Sequence, residues 1–340
     1  MTITAQIIAD SISPEGIRLT TLQLRYPRFI HAEAKTHRVI TIDGVQYEET
    51  IDMGFMDDAD LSRNASSSRA IPVERLIEDI RRDPAMPVCW GGHQAGMQAA
   101  AELTGFELEA AKSAWLMAMN DAIGWAEVMV NTGLHKQIAN RILEPWAHIN
   151  VVVTATSWEN FFTLRRHSDA QPEIKVLADT IWLAMNQSTP KNLQPGEWHL
   201  PYVGENDFSS ARHVLKTGRI TRDEPMYDEL VDKILKKVSV ARCARVSYLT
   251  HDGRVTTVQE DLALFERLMG AQPLHASPAE HQGTPDTPEW ERDPHSGSRI
   301  ELTGGWDHPE LHGNLTGWIQ YRKTFPNEYV EDARCKFTAS

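Results

Sequence analysis

At 340 residues, with 41% hydrophobic and 24% charged residues, the chain has a globular composition and can bury a substantial core as one large domain or two ordinary ones. Its formal net charge of −13 argues against a nucleic-acid polymer as partner, because a phosphate backbone needs a basic surface, but it allows a small anion held by a few local arginines. No stretch approaches the roughly 18 apolar residues of a membrane span, so no membrane partner is expected.

The opening residues Met1-Thr2-Ile3-Thr4 lack a basic segment followed by an apolar one, and the expected location is the cytoplasm. Leu19 to Tyr26 alternate as a half-buried strand. Pro27 ends it, and Phe29 to Arg38 read as a short helix. An acidic, loop-like stretch runs from Asp43 to Asp60. Pro72 then stands at a helix start, with Val73, Leu76 and Ile80 as an apolar stripe. Gln94 to Val130 predict two or three core helices broken near Thr104-Gly105 and stopped by Gly133. Val151-Val152-Val153 predict a strand, and Thr156-Ser157-Trp158-Glu159 a capping box. Ile174, Leu177, Ala178, Ile181 and Met185 fall on one helix face.

Leu193 to Tyr202 read as a loop or short strand, and Val238 to Tyr248 as a helix end continuing into a strand. Asp261 to Met269 are helical, and Ser277-Pro278-Ala279-Glu280 is a second capping-box candidate. From Gln282 to His312 the density of Pro, Gly, Asp and His predicts a long loop or lid. The fold class is α+β and helix-rich. No GxGxxG or GxxxxGK[ST] occurs.

Three constellations carry candidate chemistry. The first joins Lys35-Thr36-His37-Arg38 to Ser62 through Arg69; arginine forks, hydroxyls and an amide suit an anion, and equally suit a polar turn before a helix. The second is Arg141 with Arg165, which follows Phe161-Phe162 and reads either as a partly buried pocket arginine or as a basic helix end. The third is Ala244 to Tyr248 with His275 to His281. Its histidines and Glu280 lack the spacing of a zinc helix, and no metal is expected. Cys89, Cys243 and Cys335 are scattered and form no CxxC pair. Cys89, four residues before His93, reads as a packed or loop thiol rather than a nucleophile.

Together these segments resemble the flavin-dependent thymidylate synthases, the ThyX family, whose hallmark is RHRxxSxNExSxRY. Thr36-His37-Arg38 resembles RHR, and Ser62-Arg63-Asn64-Ala65-Ser66-Ser67-Ser68-Arg69 resembles SxNExSxR. Tyr26 to Glu33 is similar to the segment before that hallmark. Asn140 to Pro145 resembles ARxxLP, and Asn160 to Arg165 resembles NFLNLR. Ala241 to Tyr248 is similar to the family's N-terminal ARVSF strand, and Leu274 to His281 to HxTPFEH. Both normally precede the hallmark and here follow it, so the motif order is that of a circular permutation, as in phage-type members. Permutation is tolerated when termini lie close at the surface.

The resemblance implies a single ThyX-like catalytic domain over 1–340 with a central, mostly antiparallel sheet, permuted, carrying an insertion at about 40–60 and loop-rich insertions at about 190–225 and 282–313. It implies FAD, with NADPH and methylene-tetrahydrofolate as co-substrates, and methylation of dUMP to dTMP in a homotetramer. Arg165 would act on the pyrimidine; Glu33, Ser67, Arg69 and Arg141 would join it in holding the nucleotide. His37, Arg38, Asn64, Asn160, Ser247, His275, Ser277 and Glu280 would line the flavin site. Three departures stand out: Thr36 and Ala65 replace a hallmark arginine and glutamate, and Ile40 to Asp60 interrupt the hallmark. They keep open hydroxymethylation, action on dCMP, and a non-catalytic nucleotide-binding homologue.

Overall fold

The computed structural model describes residues 3–31, 40–42, 45–47, 61–95, 99, 101–220, 222, 226–248, 256–271, 274–292, 299–326 and 328, with the side chains of 40–42, 45–47, 247–248, 291–292 and 299–304 outside the description. Strands β1 (Thr4–Ile12) and β2 (Arg18–Pro27) form an antiparallel hairpin. At its turn Gly16 takes φ +81°, a conformation that only glycine enters freely. A short pair, β3 (Ile40–Ile42) and β4 (Val45–Tyr47), falls inside the hallmark's interruption. Strand β5 (Leu61–Ala65) leads to helix α1 (Val73–Arg82), whose Val73, Leu76, Ile77 and Ile80 are buried at helical spacing.

Helix α2 (Gly105–Asn131) and the short α3 (Lys136–Ala139) precede β6 (His148–Ala155), α4 (Glu159–Arg165) and α5 (Pro172–Gln187). Strand β7 (Lys191–Asn192) completes a sheet ordered β5-β6-β2-β1-β7. All its pairings are antiparallel except β1 with β7. The second half brings helices α6 (Glu205–Thr217), α7 (Tyr227–Tyr248) and α8 (Val258–Met269). Strands β8 (Gly283–Pro285), β9 (Pro288–Arg292), β10 (Arg299–Trp306) and β11 (Trp318–Gln320) follow, β8 pairing with β11 and β9 with β10.

Strand alternation gives the sheet two unlike faces. Leu22, Leu24 and Tyr26 of β2, with Ile149, Val151 and Val153 of β6, pack against Ile174, Leu177, Ala178, Ile181 and Met185 of α5. That is the helix face expected from sequence. The opposite face carries Thr21, Thr154, Ser62 and Asn64, and it is buried too, under α7 and the 3-10 turn Ser277–Glu280, with Gln320 of β11 reaching Ser62. Strand β2 is therefore enclosed on both sides rather than half-buried.

Several local expectations change. The described residues of Gln94 to Val130 hold one long helix, α2, much of it exposed, not two or three core helices. Val238 to Tyr248 stay helical to the end of α7, because Val240, Ala241 and Ala244 meet Leu264, Phe265 and Leu268 of α8. Segment 282–313 carries β8, β9 and β10 rather than a long loop, and 190–225 contains α6. Neither proposed capping box forms. Trp158 caps α4 without a side-chain bond, while Ser277 and Glu280 are drawn into tertiary bonds instead. A box does form at Thr257 and Glu260, where side chain and backbone bond reciprocally at the start of α8. Among the described residues no helix is long and apolar enough to cross a membrane.

Candidate functional site

On the polar face of the sheet, β5 places Asn64 opposite Val152 of β6. Its side-chain oxygen accepts from Ser277 Oγ at 3.0 Å, and its Nδ2 donates to His281 Nε2 at 3.2 Å. Thus the Ser277–His281 segment closes on β5 across 213 positions of sequence. His281 Nδ1 bonds Thr154 Oγ1 at 2.8 Å, Thr154 bonds Thr21 at 2.6 Å, and Thr21 bonds His199 Nε2 at 2.8 Å. Burial pulls both histidines down to about 3, His281 with a further push from His199 and His199 against a weaker opposing pull from Asp10; they are neutral at physiological pH.

Beside this line, Glu280 pairs with Arg322 from the 3-10 turn after β11. Burial raises the Glu280 carboxyl above its ordinary range, and Arg322 opposes that shift. Gln320 Nε2 reaches Asn314 at 2.6 Å and the carbonyl of Glu280 at 3.2 Å, and Ser62 Oγ donates to Asn314 at 3.1 Å. Asn314, Gln320 and Arg322 therefore hold the Ser277–Glu280 turn against β5.

A second cluster gathers at the other end of the hallmark. Glu144 Oε1 receives Ser68 Oγ at 2.5 Å, Arg141 Nη1 at 3.1 Å and Arg28 Nε at 3.3 Å. Asn140 Nδ2 donates to the carbonyls of Ser68 and Ile71 at 2.7 and 2.9 Å. This turn thereby fixes the backbone on either side of Arg69. Arg69 is exposed and Ser67 half-buried; Arg141 keeps about half its side chain in solvent, at 52%. A cavity of about 200 Å³ adjoins the cluster through Ser66, between β2, β6 and α1, and its Arg25 and Arg82 are paired with Asp83 and Asp79.

Arg165 ends α4 and is only 7% exposed, one turn after the core residue Phe161. Asn160 and His275 are exposed. Ser247 lies in α7 with its side chain outside the description, and Glu33, His37 and Arg38 lie outside the described residues. Hence Asn64, Ser277 and Glu280 come together at one place, Ser67, Arg69 and Arg141 share a second, and Arg165 stands on α4. Burial and a hydrogen bond to Glu102 raise the Cys89 thiol, the opposite of nucleophile activation. Among the described residues no group of three His, Cys, Asp or Glu is placed to hold a metal ion.

Sequence reasoning missed Arg28, Glu144, Arg322 and Gln320, all of which orient candidate residues. Arg28 and Glu144 sit inside motifs that were recognised, so their proximity to the serines was the available signal. Nothing local marks Gln320 or Arg322.

The sequence model of the family described as thymidylate synthase complementing protein matches residues 18–191. Two solved structures of a UMP/dUMP methylase PolB from Streptomyces cacaoi, bound with 5-Br dUMP and 5-Br UMP, are similar at 14% identity. Each likeness covers 55% of this chain, and 90% and 89% of the respective structure, with TM-scores of 0.41 and 0.39. No curated protein sequence matches this chain.

Proposed function

This chain belongs to the thymidylate synthase complementing protein family, and on that premise we propose that it methylates dUMP to dTMP with FAD as cofactor. The observation that carries the proposal is the closure of Ser277 and His281 on Asn64. On the family resemblance these would be two motifs of one flavin site, far apart in the sequence and joined here by hydrogen bonds.

The donor set fits the cofactor. Asn160, Ser277 and His275 offer neutral amide, hydroxyl and imidazole groups suited to a ring edge of carbonyls and N–H groups, and Asn64, bonded to Ser277 and His281, would hold Ser277 in place. Glu280, His37, Arg38 and Ser247 complete the set that would hold it. Bound FAD supplies the hydride chemistry. Exposed Arg69 and Arg141, with Ser67 and Glu33, would anchor the nucleotide, and arginine forks suit its phosphate. Arg165 would donate to the pyrimidine edge and stabilise its electron-rich form. The reaction balances as dUMP, methylene-tetrahydrofolate, NADPH and a proton giving dTMP, tetrahydrofolate and NADP⁺.

Incubating the protein with FAD, NADPH, methylene-tetrahydrofolate and either dUMP or dCMP, then weighing the products, tests this reading. The expected product is dUMP heavier by one CH2. Gain of CH2O, or reaction of dCMP alone, would replace it with hydroxymethylation or a cytosine substrate; Ala65 at the hallmark glutamate position is the residue that favours such a change. A colourless protein that takes up no added FAD would leave a non-catalytic nucleotide binder.

The family resemblance also implies a homotetramer, and α2 supports assembly. Phe106 is 83% exposed, and Met117 and Trp125 are each 64% exposed. With Ala110, Asp121 and Val128 they lie at helical spacing along one stripe, an unusual amount of apolar surface to leave in water. The double substitution Met117→Glu with Trp125→Glu is expected to lower the assembly state in light scattering without changing the circular dichroism of the subunit. Unchanged mass would remove α2 from the interface.

A further inference from the structure

Between Ser277 and strand β1 runs an unbroken line of polar side chains: Ser277, Asn64, His281, Thr154, Thr21, His199 and Ser11. The contacts in that order are 3.0, 3.2, 2.8, 2.6, 2.8 and 2.9 Å. From Asn64 inward every member is buried, with Thr21, Thr154 and His281 at 0% exposure. Each histidine spends both ring nitrogens within the line.

Proton counting restricts such a chain severely. A hydroxyl donates once, an amide nitrogen only donates, and a neutral imidazole has one donor and one acceptor nitrogen. Ser277 donates to Asn64 Oδ1, so Asn64 turns its Nδ2 toward His281 Nε2. His281 Nε2 must then accept, which puts the ring proton on Nδ1 and directs it to Thr154. The Thr154 hydroxyl consequently donates to Thr21, Thr21 donates to His199 Nε2, and the Nδ1 proton of His199 points at Ser11. Complete satisfaction permits one other arrangement: the amide flips and both imidazoles change tautomer together. Any mixture leaves a buried polar group without its hydrogen bond inside the line, which burial penalises.

We propose that this line is a tautomer relay in which His281 and His199 act as positioning residues, locking Asn64 and thereby the polarity of Ser277. With its hydrogen turned inward, the exposed Ser277 Oγ offers only lone pairs outward. The site therefore selects an N–H donor from its ligand at that point. This deepens the flavin reading above and rests on it for the ligand, a ring N–H of the cofactor. The relay itself requires no ligand. Burial of both rings supports it, since a doubly protonated imidazole would donate at both ends and break the line.

The test is 15N NMR of the full chain labelled at histidine, with signals assigned by single His281→Gln and His199→Gln substitutions. Both rings are expected neutral with the proton on Nδ1. A proton on Nε2 of either ring would overturn the proposal. In Asn64→Asp, a carboxylate replaces the inward donor, and His199 is expected to switch to the Nε2–H form although residue 64 does not touch it. Adding Thr154→Val should abolish that response. A His199 unmoved by Asn64→Asp, including the case where His281 simply takes a second proton, would also overturn it. The wild-type measurement stands if the variants fail to fold. Because no flavin is needed, failure of FAD binding and failure of the relay are separate results.

Discussion

Replacing Arg165 by alanine is expected to weaken dUMP binding about 100-fold, roughly 3 kcal/mol, while leaving the protein able to take up FAD and turn yellow. The argument begins with α4. Phe161 is committed to the sheet core beside Trp158, and a residue four positions on shares its helix face. Arg165 is consequently carried inward to 7% exposure. That position removes the guanidinium from bulk water, so that a hydrogen bond to a ligand carbonyl would be stronger there than at the surface. The next residue supplies the control. Arg166 donates to Asp179 at 2.7 Å and lies 4.2 Å over the Trp182 ring, so it is occupied structurally, and Arg166→Ala should leave dUMP affinity unchanged. Arg165→Lys keeps the charge without the planar fork and should fall between wild type and Arg165→Ala. Calorimetric titration with dUMP checks the series. Wild-type affinity in a cooperatively melting Arg165→Ala protein would show that the pyrimidine contact lies elsewhere.

Period and residue type made part of this structure legible in advance. The apolar face of α5 could be read residue by residue from Ile174 to Met185, and β2 and β6 followed from alternation and β-branching. The central antiparallel sheet came from the family resemblance, because strand order depends on contacts between distant segments. Failures cluster where tertiary partners outbid local preference. Ser277 and Glu280 have the spacing of a capping box, yet Asn64 and Arg322 claim both side chains. The stretch from Val238 to Tyr248 has strand-forming residues, but packing against α8 keeps it helical. Gln282 to His312 read as a lid because Pro and Gly are dense there, while pairing of β9 with β10 needs only short runs between them. In the site, Asn64 and Ser277 were named as separate motif positions. Their hydrogen bond, and the buried histidine line behind it, depend on a fold that no local pattern encodes.

The second large effect lies outside the site, at the junction of α6, α7 and α8. Asp261 has a side chain at 0% exposure and accepts from Arg242 Nε at 2.9 Å, Arg245 Nε at 3.0 Å and Thr256 Oγ1 at 2.7 Å. Arg242, itself 12% exposed, also forms two 2.7 Å bonds to Asp207 of α6 and one of 2.6 Å to the carbonyl of Tyr202. Asp207 is held below the usual carboxylate range by Arg242 even though burial acts to raise it. Asp261→Ala would leave two arginines crowded at one junction with half their counter-charge gone. Removing one partner of a buried ionic network costs about 3–5 kcal/mol, against 0–1 for an exposed pair. The exposed bridge of Arg81 with Glu127, at 58% and 51%, provides the comparison: Glu127→Ala should scarcely move the denaturation midpoint. Asp261→Asn keeps the volume but loses the charge, and should recover only part of the loss. The consequence reaches the site because α7 packs on both β5 and the Ser277–Glu280 turn. Below its melting temperature the Asp261→Ala protein should therefore take up FAD less well than wild type. If urea titration shows a loss under 1 kcal/mol, the three helices are held by their apolar contacts and the charged junction is incidental.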